Sequence, residues 1–282
     1  MTIRRLDRII PSLVTSDGAG VRLRRSLGTS ASTRVDPFLM LDEFYSDDPR
    51  DYMAGFPPHP HRGFETVTYM LDGHMQHRDN RGHTGDLGPG DVQWMTAARG
   101  IIHSEMPQQT EGRMRGFQLW INLPASEKMQ PAAYRDIAAG DIPVVELDGG
   151  ARVKVIAGEL EHEGGTTGGA VRGRSTQPRY FDVHLPPRAA LETPVPAALN
   201  ALLYPYDGDV FVGEMRQALD QRTAGVLGEG DTVRIEAGEA GARLLLIAGK
   251  PIREPIVQRG PFVMNTAAEI EQAISDYQSG AF

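Results

Sequence analysis

The chain has 282 residues, of which 29 are lysine or arginine and 37 are aspartate or glutamate, so its formal net charge is −8. Hydrophobic residues make up 40% of the chain, a globular composition that argues against wholesale disorder. The acidic balance lacks the basic patch expected of a nucleic-acid-binding protein, which disfavours direct DNA binding. Cysteine is absent, which excludes disulfides, thiolate metal sites and cysteine nucleophiles. Histidine, aspartate and glutamate are then the strong metal ligands available.

The N-terminal stretch carries Arg4, Arg5 and Arg8 but no apolar run like that of a secretory signal. No stretch of about 18 apolar residues occurs in the chain. We therefore expect a cytoplasmic protein without a membrane segment. The 32 glycines and 20 prolines follow no collagen-like period and favour many short strands joined by turns.

Four short runs predict strands because they are rich in β-branched, aromatic and other apolar residues. In chain order they are residues 65–71 (ETVTYML), 117–123 (FQLWINL), 180–185 (YFDVHL) and 243–248 (RLLLIA). Asp-Gly pairs at 72–73, 148–149 and 207–208 lie between or just beyond such runs, and they are typical of hairpin turns. The sequence therefore predicts an antiparallel all-β fold.

The C-terminal residues follow a helical pattern instead. Thr266-Ala-Ala-Glu269 is a capping box, and apolar residues at 270, 273, 274 and 277 follow at helical spacing. We predict one amphipathic helix whose apolar side packs on the sheets.

A five-residue motif occurs twice, as LGPGD at 87–91 and LGEGD at 227–231. The offset is 140 residues from Leu87 to Leu227, and it is 135 residues between the upstream Asp72 and Asp207. These nearly equal offsets indicate two related β units, although a chance match is the alternative in so glycine-rich a chain. With a linker at 124–143, we predict an N-terminal domain at residues 1–132 and a C-terminal domain at 133–282.

Two pairs of potential metal ligands lie in the N-terminal half. His59 and His61 are two residues apart, so their side chains project from the same face of an extended strand, and His103 and Glu105 repeat this spacing. Two such strands facing each other could supply four ligands to one ion. Glu65 has the parity of His61 and is a further candidate, unless residues 62–64 contain a bulge.

Three imidazoles and one carboxylate suit Fe(II), Mn(II), Ni(II) or Zn(II). Fe(II) is preferred, because oxygen-activating non-heme iron uses mixed imidazole and carboxylate ligation with open positions, and zinc is the main rival. The other histidines are unassigned. Those at 74, 77 and 83 are interpreted as a solvated strand or loop, and His184 is interpreted as hydrogen-bonded to Asp182.

Glycines and prolines accompany the ligand pairs, and the resulting order resembles the two cupin motifs: Gly55, His59-Pro60-His61, Glu65, Gly73, Pro89-Gly90 and Gly100-Ile101-Ile102-His103. More specifically, FPPHPHRGFETVTYMLDG, GHTGDLGPGDVQWMTAARGIIHSEMP and FQLWINLP resemble the pirin family. The similarity is dense from Arg22 to Leu123 and looser through the second half to Phe282.

The resemblance implies a bicupin, with two β-sandwich barrels in tandem and a short C-terminal helix. The first barrel would hold iron through the residues matching His59, His61, His103 and Glu105. Glu65 matches a glutamate of the general cupin motif that is not a usual pirin ligand. Similar bacterial pirins can act as quercetin 2,3-dioxygenases, which open the flavonol heterocycle with O2 and release carbon monoxide. Animal relatives are instead nuclear regulators that bind transcription factors, and some bacterial relatives bind metabolic enzymes.

Three functions follow as hypotheses, and the first is an iron-dependent dioxygenase acting on a flavonol and O2. Its catalytic base would be Glu105 or Glu65, because a carboxylate must accept the proton of the flavonol 3-hydroxyl. The substrate would contact a cavity wall that includes Phe56, Met95 and Gln118.

The second hypothesis is a metal-sensing regulatory protein that binds a protein partner. The third is a cupin isomerase acting on a sugar phosphate, with zinc or manganese as Lewis acid. A phosphate needs cations facing the cavity, and Arg62 and Arg99 are the nearest to the ligand pairs in sequence.

The C-terminal domain is predicted to be metal-free. An offset of 135 residues places Pro194 and Pro196 at the positions of the first two histidines, and neither offers a side-chain ligand. Aligning Gly241 with Gly100 places Leu244 at the position of His103 and Leu246 at the position of Glu105. This domain would act as scaffold, dimer surface or partner surface, and a monomer is favoured.

Overall fold

The structure is a computed structural model that describes all 282 residues. It confirms the prediction of a mostly β protein with one C-terminal helix. The residues form two units, each built from separate stretches of chain. The N unit comprises Leu13–Thr29, Phe38–Ala139 and Ile252–Phe282, and the C unit comprises Met1–Ser12, Ser30–Pro37 and Gly140–Pro251.

Twelve strands lie in the first half of the chain. They are β1 (Leu6–Pro11), β2 (Leu13–Asp17), β3 (Val21–Leu27), β4 (Phe38–Ser46), β5 (Phe56–His61), β6 (Phe64–Asp72), β7 (Met75–Asp79), β8 (Thr84–Leu87), β9 (Val92–Thr96), β10 (Ile101–Pro107), β11 (Met114–Asn122) and β12 (Ala133–Ile137). The two strands predicted here fall on β6 and β11. Residues 133–137 of the predicted linker form β12, which pairs with β9.

Fourteen further strands follow. They are β13 (Val144–Glu146), β14 (Arg152–Ala157), β15 (Glu159–His162), β16 (Gly165–Gly168), β17 (Arg179–Leu185), β18 (Ala190–Pro194), β19 (Asn200–Asp207), β20 (Val210–Val212), β21 (Gln217–Leu219), β22 (Thr223–Leu227), β23 (Thr232–Ala237), β24 (Ala242–Gly249), β25 (Val257–Arg259) and β26 (Phe262–Met264). The helices are α1 (Ala267–Gln278) and four 3₁₀ turns at Ala31–Thr33, Pro49–Asp51, Ala139–Asp141 and Asp148–Gly150. None of these helices combines the length and the apolar character that a membrane span requires.

The N unit contains two main antiparallel sheets. The larger has the order β12-β9-β6-β11-β4-β3-β2 and the smaller has the order β5-β10-β7-β8. One apolar cluster joins Phe44 and Met70 of the larger sheet with Met75 and Leu87 of the smaller sheet. The two sheets therefore pack face to face as a sandwich.

The C unit repeats this plan, with a seven-stranded sheet (β1-β22-β19-β24-β17-β14-β13) and a four-stranded sheet (β18-β23-β20-β21). Its core joins Leu203 and Leu246 of the larger sheet with Ile235 of the smaller sheet. Each copy of the repeated LGxGD motif connects two consecutive strands. Gly90 has φ 88° and Gly230 has φ 145°, conformations that favour glycine.

Helix α1 has the capping box that the sequence predicts. The Thr266 side chain accepts a hydrogen bond from the Glu269 backbone N–H, and the Glu269 carboxylate accepts one from the Thr266 N–H. Ile270 and Ala273 are buried against Phe262 of the β25–β26 hairpin. The predicted C-terminal domain, residues 133–282, includes this helix, whereas the structure places the helix in the N unit.

Lys128, in the connection between β11 and β12, forms hydrogen bonds to three separate segments of the N unit. Its Nζ donates to the Gly63 carbonyl (2.6 Å), to Asn122 Oδ1 (2.6 Å) and to the Val263 carbonyl (3.0 Å). Burial lowers the pKa of Lys128 to about 8, so the amine is still charged at neutral pH. The three acceptors match the three N–H groups of the ammonium form.

Replacing Lys128 by methionine should lower the free energy of unfolding by about 3 kcal/mol, because three buried oxygens lose their donor. Denaturant unfolding of the purified variant measures this loss. The matched control is Met129→Ala at the exposed neighbouring position, which should change stability by less than about 0.5 kcal/mol. A Lys128→Met variant as stable as the parent would contradict this account.

Candidate metal centre

His59, His61 and His103 lie together on two neighbouring strands of the smaller N-unit sheet. Strands β5 and β10 pair antiparallel with His59 opposite His103 and His61 opposite Ile101. Residues directly opposite share a face, so the three imidazoles project to the same side. One nitrogen from each ring lies within 4.8 Å of the other two.

The nitrogen arrangement fits a metal ion. His59 Nε2 and His61 Nε2 are 3.0 Å apart. Two nitrogens that bind one ion at about 2.1 Å and at right angles have this separation. His59 Nδ1 donates to the Pro57 carbonyl (2.9 Å), which leaves a lone pair on its Nε2. His103 Nε2 is buried without a hydrogen-bond partner.

The protonation of the buried histidines also suits a cation. Burial lowers the pKa of His61 and His103 well below the usual value, and the neighbouring imidazoles lower it further. Both rings are therefore neutral at physiological pH. A neutral imidazole keeps the lone pair with which it binds a metal.

The metal-free protein should lose stability as the pH falls from about 6.5 to about 5. Imidazoles of the unfolded chain bind protons with a pKa of about 6.5, whereas His61 and His103 stay neutral in the folded state, so acid favours unfolding. Denaturant unfolding with a chelator present measures this loss. In His61→Leu the loss should be smaller, and the same pH dependence in parent and variant would contradict the expectation.

Glu105 follows His103 by two residues on β10 and is 2% exposed. Its carboxylate accepts hydrogen bonds from Thr68 Oγ1 (3.0 Å) and from Gln118 Nε2 (3.0 Å). Gln118 Oε1 in turn accepts from Trp120 Nε1 (3.1 Å), which fixes the orientation of the amide. The group of side chains whose ligand atoms all lie within 4.8 Å of one another contains the three histidines but not Glu105. The role of Glu105 as a fourth ligand stays a prediction.

Glu65 lies outside the histidine cluster. Strands β5 and β6 belong to different sheets and the chain turns at Gly63 (φ 93°), so the alternation along β5 does not continue to Glu65. Thr96 Oγ1 donates to Glu65 Oε1 (2.7 Å). Glu65 and Thr68 are three residues apart on β6 and point to opposite faces. Because Thr68 contacts Glu105, the Glu65 side chain faces away from the histidine side.

A cavity of about 610 Å³ opens against His59 and His61. This volume lies in the range of small-molecule sites. Phe56 and Gln118 line the cavity, as expected, but Met95 does not, because it is buried in a separate apolar cluster. The other apolar lining side chains include Leu23, Leu39, Met40, Phe44 and Trp120.

Neither arginine considered for a phosphate lines this cavity. The Arg62 guanidinium is buried, bonds to Asp276 of α1 (2.7 Å) and lies over the Phe282 ring at 4.4 Å from its centroid. Arg99 is exposed. The sugar-phosphate hypothesis thus loses the two cations on which it depended.

The interpretation of His77 as solvated is wrong, because its side chain is fully buried. His77 lies on β7 opposite Glu105, and its Nδ1 is 3.2 Å from His103 Nδ1. The sequence contained a signal for this position: Met75 and His77 alternate with polar residues, a period-two pattern that predicts a half-buried strand. The other two histidines of this stretch are exposed, as expected.

The C-unit positions that align with the N-unit ligand pairs are occupied by apolar residues. Leu244 and Leu246 of β24 are fully buried in the apolar core, and Pro194 ends β18. His184 Nε2 lies 3.1 Å from Asp182 Oδ2, the pair expected from their spacing. These residues contribute core packing and a strand hydrogen bond.

Two β-sandwich units in one chain, one of them with a cluster of three histidines, define a bicupin. Residues 20–121 match the pirin family, and residues 180–282 match the pirin C-terminal cupin domain. The chain belongs to the pirin family, which confirms the resemblance seen in its motifs.

Individual relatives are similar along nearly the whole chain. A Pseudomonas aeruginosa protein named "Putative quercetin 2,3-dioxygenase" is 54% identical over 94% of this chain and 93% of its own. Pirin of Homo sapiens is 44% identical over 94% of this chain and 89% of its own. The crystal structure of quercetin 2,3-dioxygenase from Acinetobacter baumannii superposes with a TM-score of 0.90 at 33% identity, covering 99% of this chain and 98% of that one.

Proposed function

We propose that this pirin is a metal-dependent dioxygenase that cleaves a flavonol with O2 and releases carbon monoxide. The observation that carries the proposal is the cavity of about 610 Å³ bordered by two of the three clustered histidines. The names of the Pseudomonas and Acinetobacter relatives support the choice of reaction.

His59, His61 and His103 would hold the metal, with Glu105 as the fourth ligand. Fe(II) is our preferred ion, and zinc, manganese and nickel suit the same donors. When bound, the ion would supply a Lewis acid for the flavonol 3-oxygen and a redox partner for O2.

The cavity residues fit a flat aromatic substrate with hydroxyl groups. Phe56, Met40 and Trp120 provide apolar surface for the rings. On the same cavity wall, Arg25 donates to both oxygens of Asp42 at 2.8 and 2.7 Å. This pair offers polar atoms to substrate hydroxyls and is consistent with a polyphenol.

Glu105 would accept the proton of the flavonol 3-hydroxyl, because it follows His103 by two residues on β10, whereas Asp42 of the cavity wall is paired with Arg25. Hydrogen bonds from Thr68 and Gln118 hold its side chain in place. Glu65, on the opposite face of β6, has no part in this proposal. The same proton returns to the carboxylate of the ring-opened product. The atoms of the flavonol and O2 are therefore all accounted for in that product and carbon monoxide.

An anaerobic reconstitution with Fe(II), followed by a flavonol and then oxygen, tests the proposal. Flavonol absorbance should fall only after oxygen is admitted. The matched substrate control is the flavone that lacks the 3-hydroxyl, which offers no proton to Glu105 and should persist. Equal loss of both compounds, or loss without oxygen, would contradict the proposed reaction.

A further inference from the structure

We propose that His77 is a positioning residue that sets the tautomer and orientation of His103 for metal binding; this inference rests on the metal site proposed above. The two Nδ1 atoms are 3.2 Å apart, and both side chains are buried, with 0% and 2% exposed. The His103 ring therefore has one nitrogen against His77 and one, Nε2, without a hydrogen-bond partner.

Two neutral imidazoles that share a hydrogen bond must supply one donor and one acceptor. If His77 donates, the hydrogen of His103 resides on Nε2, where it blocks a metal. If His103 donates, its Nε2 keeps the lone pair. Only the second arrangement lets His103 join His59 and His61 as a ligand, so His77 must act as the acceptor.

The surroundings of His77 favour this arrangement. When its Nδ1 accepts, the hydrogen of His77 lies on Nε2, a buried atom without a hydrogen-bond partner, and the free-energy cost of this unpaired N–H must be offset by neighbouring charges. The carboxylates of Glu105, Asp136 and Asp79 act on this ring with their negative charge. A buried N–H dipole is stabilised by such a field.

The ring of His77 is also held in place. Its centroid lies 5.5 Å from that of Tyr134, and β7 pairs with β10 without irregularity from Asp79 to Met75. A fixed acceptor restrains rotation of the His103 ring about its side-chain bonds. Partners of this kind behind a metal ligand typically contribute about 10- to 100-fold to metal affinity.

Titration of the metal-free protein with Co(II) alone tests the inference, since both the affinity and the visible absorption of the ion report its ligands. His77→Leu places an apolar side chain at this buried position, and that side chain cannot accept a hydrogen bond. His77→Asn places a side-chain oxygen near the former Nδ1 and can accept one. His74→Leu, at an exposed histidine of the same stretch, is the matched control.

We expect about 10- to 100-fold weaker Co(II) binding and a changed absorption band in His77→Leu. Affinity close to that of the parent is expected in His77→Asn and in His74→Leu. Parental binding by His77→Leu would overturn the inference, and so would an equal loss in His77→Asn, because packing rather than hydrogen bonding would then be responsible. His77→Asn keeps the test decisive if the leucine variant does not fold.

These outcomes are separable from those of the proposed reaction, because the titration contains neither flavonol nor oxygen. A parent that binds Co(II) but never turns over a flavonol would refute the dioxygenase and leave the role of His77 intact. A flavonol-cleaving parent whose His77→Leu variant binds Co(II) normally would refute only the role of His77.

Discussion

The His103→Ala variant should lose stoichiometric metal while keeping its fold. Three ring nitrogens converge within 4.8 Å, and removing one leaves two donors. The loss of metal affinity should exceed about 10- to 100-fold, which is the loss typical of replacing a residue that hydrogen-bonds to a metal ligand. Strands β5, β7 and β10 pair through their backbones, so the sheet does not depend on the imidazole. Metal content after reconstitution and dialysis measures the result, and His59→Ala should behave alike.

His184→Ala is the control for this prediction. His184 is a partly exposed histidine of the C unit that bonds to Asp182, outside the cluster. Its variant should retain the parental metal content. Full stoichiometry in both His59→Ala and His103→Ala would show that the metal binds elsewhere.

Replacing Glu105 by glutamine should lower flavonol turnover by about 100- to 10,000-fold, the contribution typical of a general base. Glutamine has nearly the same shape, but its amide cannot take up the proton of the 3-hydroxyl. If Glu105 is also a ligand, metal affinity will fall as well, so turnover is compared at full metal occupancy. Initial rates of flavonol loss measure the effect.

Glu65→Gln is the matched control, since it makes the same chemical change on the opposite face of β6. Its hydrogen bond from Thr96 does not involve the histidine cluster. We expect turnover near that of the parent. A larger loss in Glu65→Gln than in Glu105→Gln, at equal metal occupancy, would transfer the role of base to Glu65.

The three histidine positions could be predicted from sequence because strand alternation is a local property. His59 and His61 needed only an extended strand to share a face, and His103 needed only to lie on a neighbouring strand. The position of Glu105 depended on more than alternation. The β5–β10 register shifts between His103 and Glu105, and such an irregularity is set by cross-strand packing.

Other features depended on which strands become neighbours. Glu65 was assigned the parity of His61, but β5 and β6 belong to different sheets. The domains of the two chain ends also depend on distant pairing, because β1 pairs with β22 and α1 packs on β26. These long-range contacts leave little trace in local composition. The burial of His77 likewise follows from the pairing of β7 with β10.

The most direct test of the proposed dioxygenase is the stoichiometry of O2 consumed and carbon monoxide released by the iron-loaded protein. We expect one carbon monoxide released per O2 consumed and per flavonol lost, and no change in either gas with His103→Ala. Oxygen uptake without carbon monoxide would contradict the proposed ring cleavage. No oxygen-dependent turnover of any of several flavonols by the fully loaded protein would refute the enzyme and favour a metal-sensing regulatory protein that binds a partner.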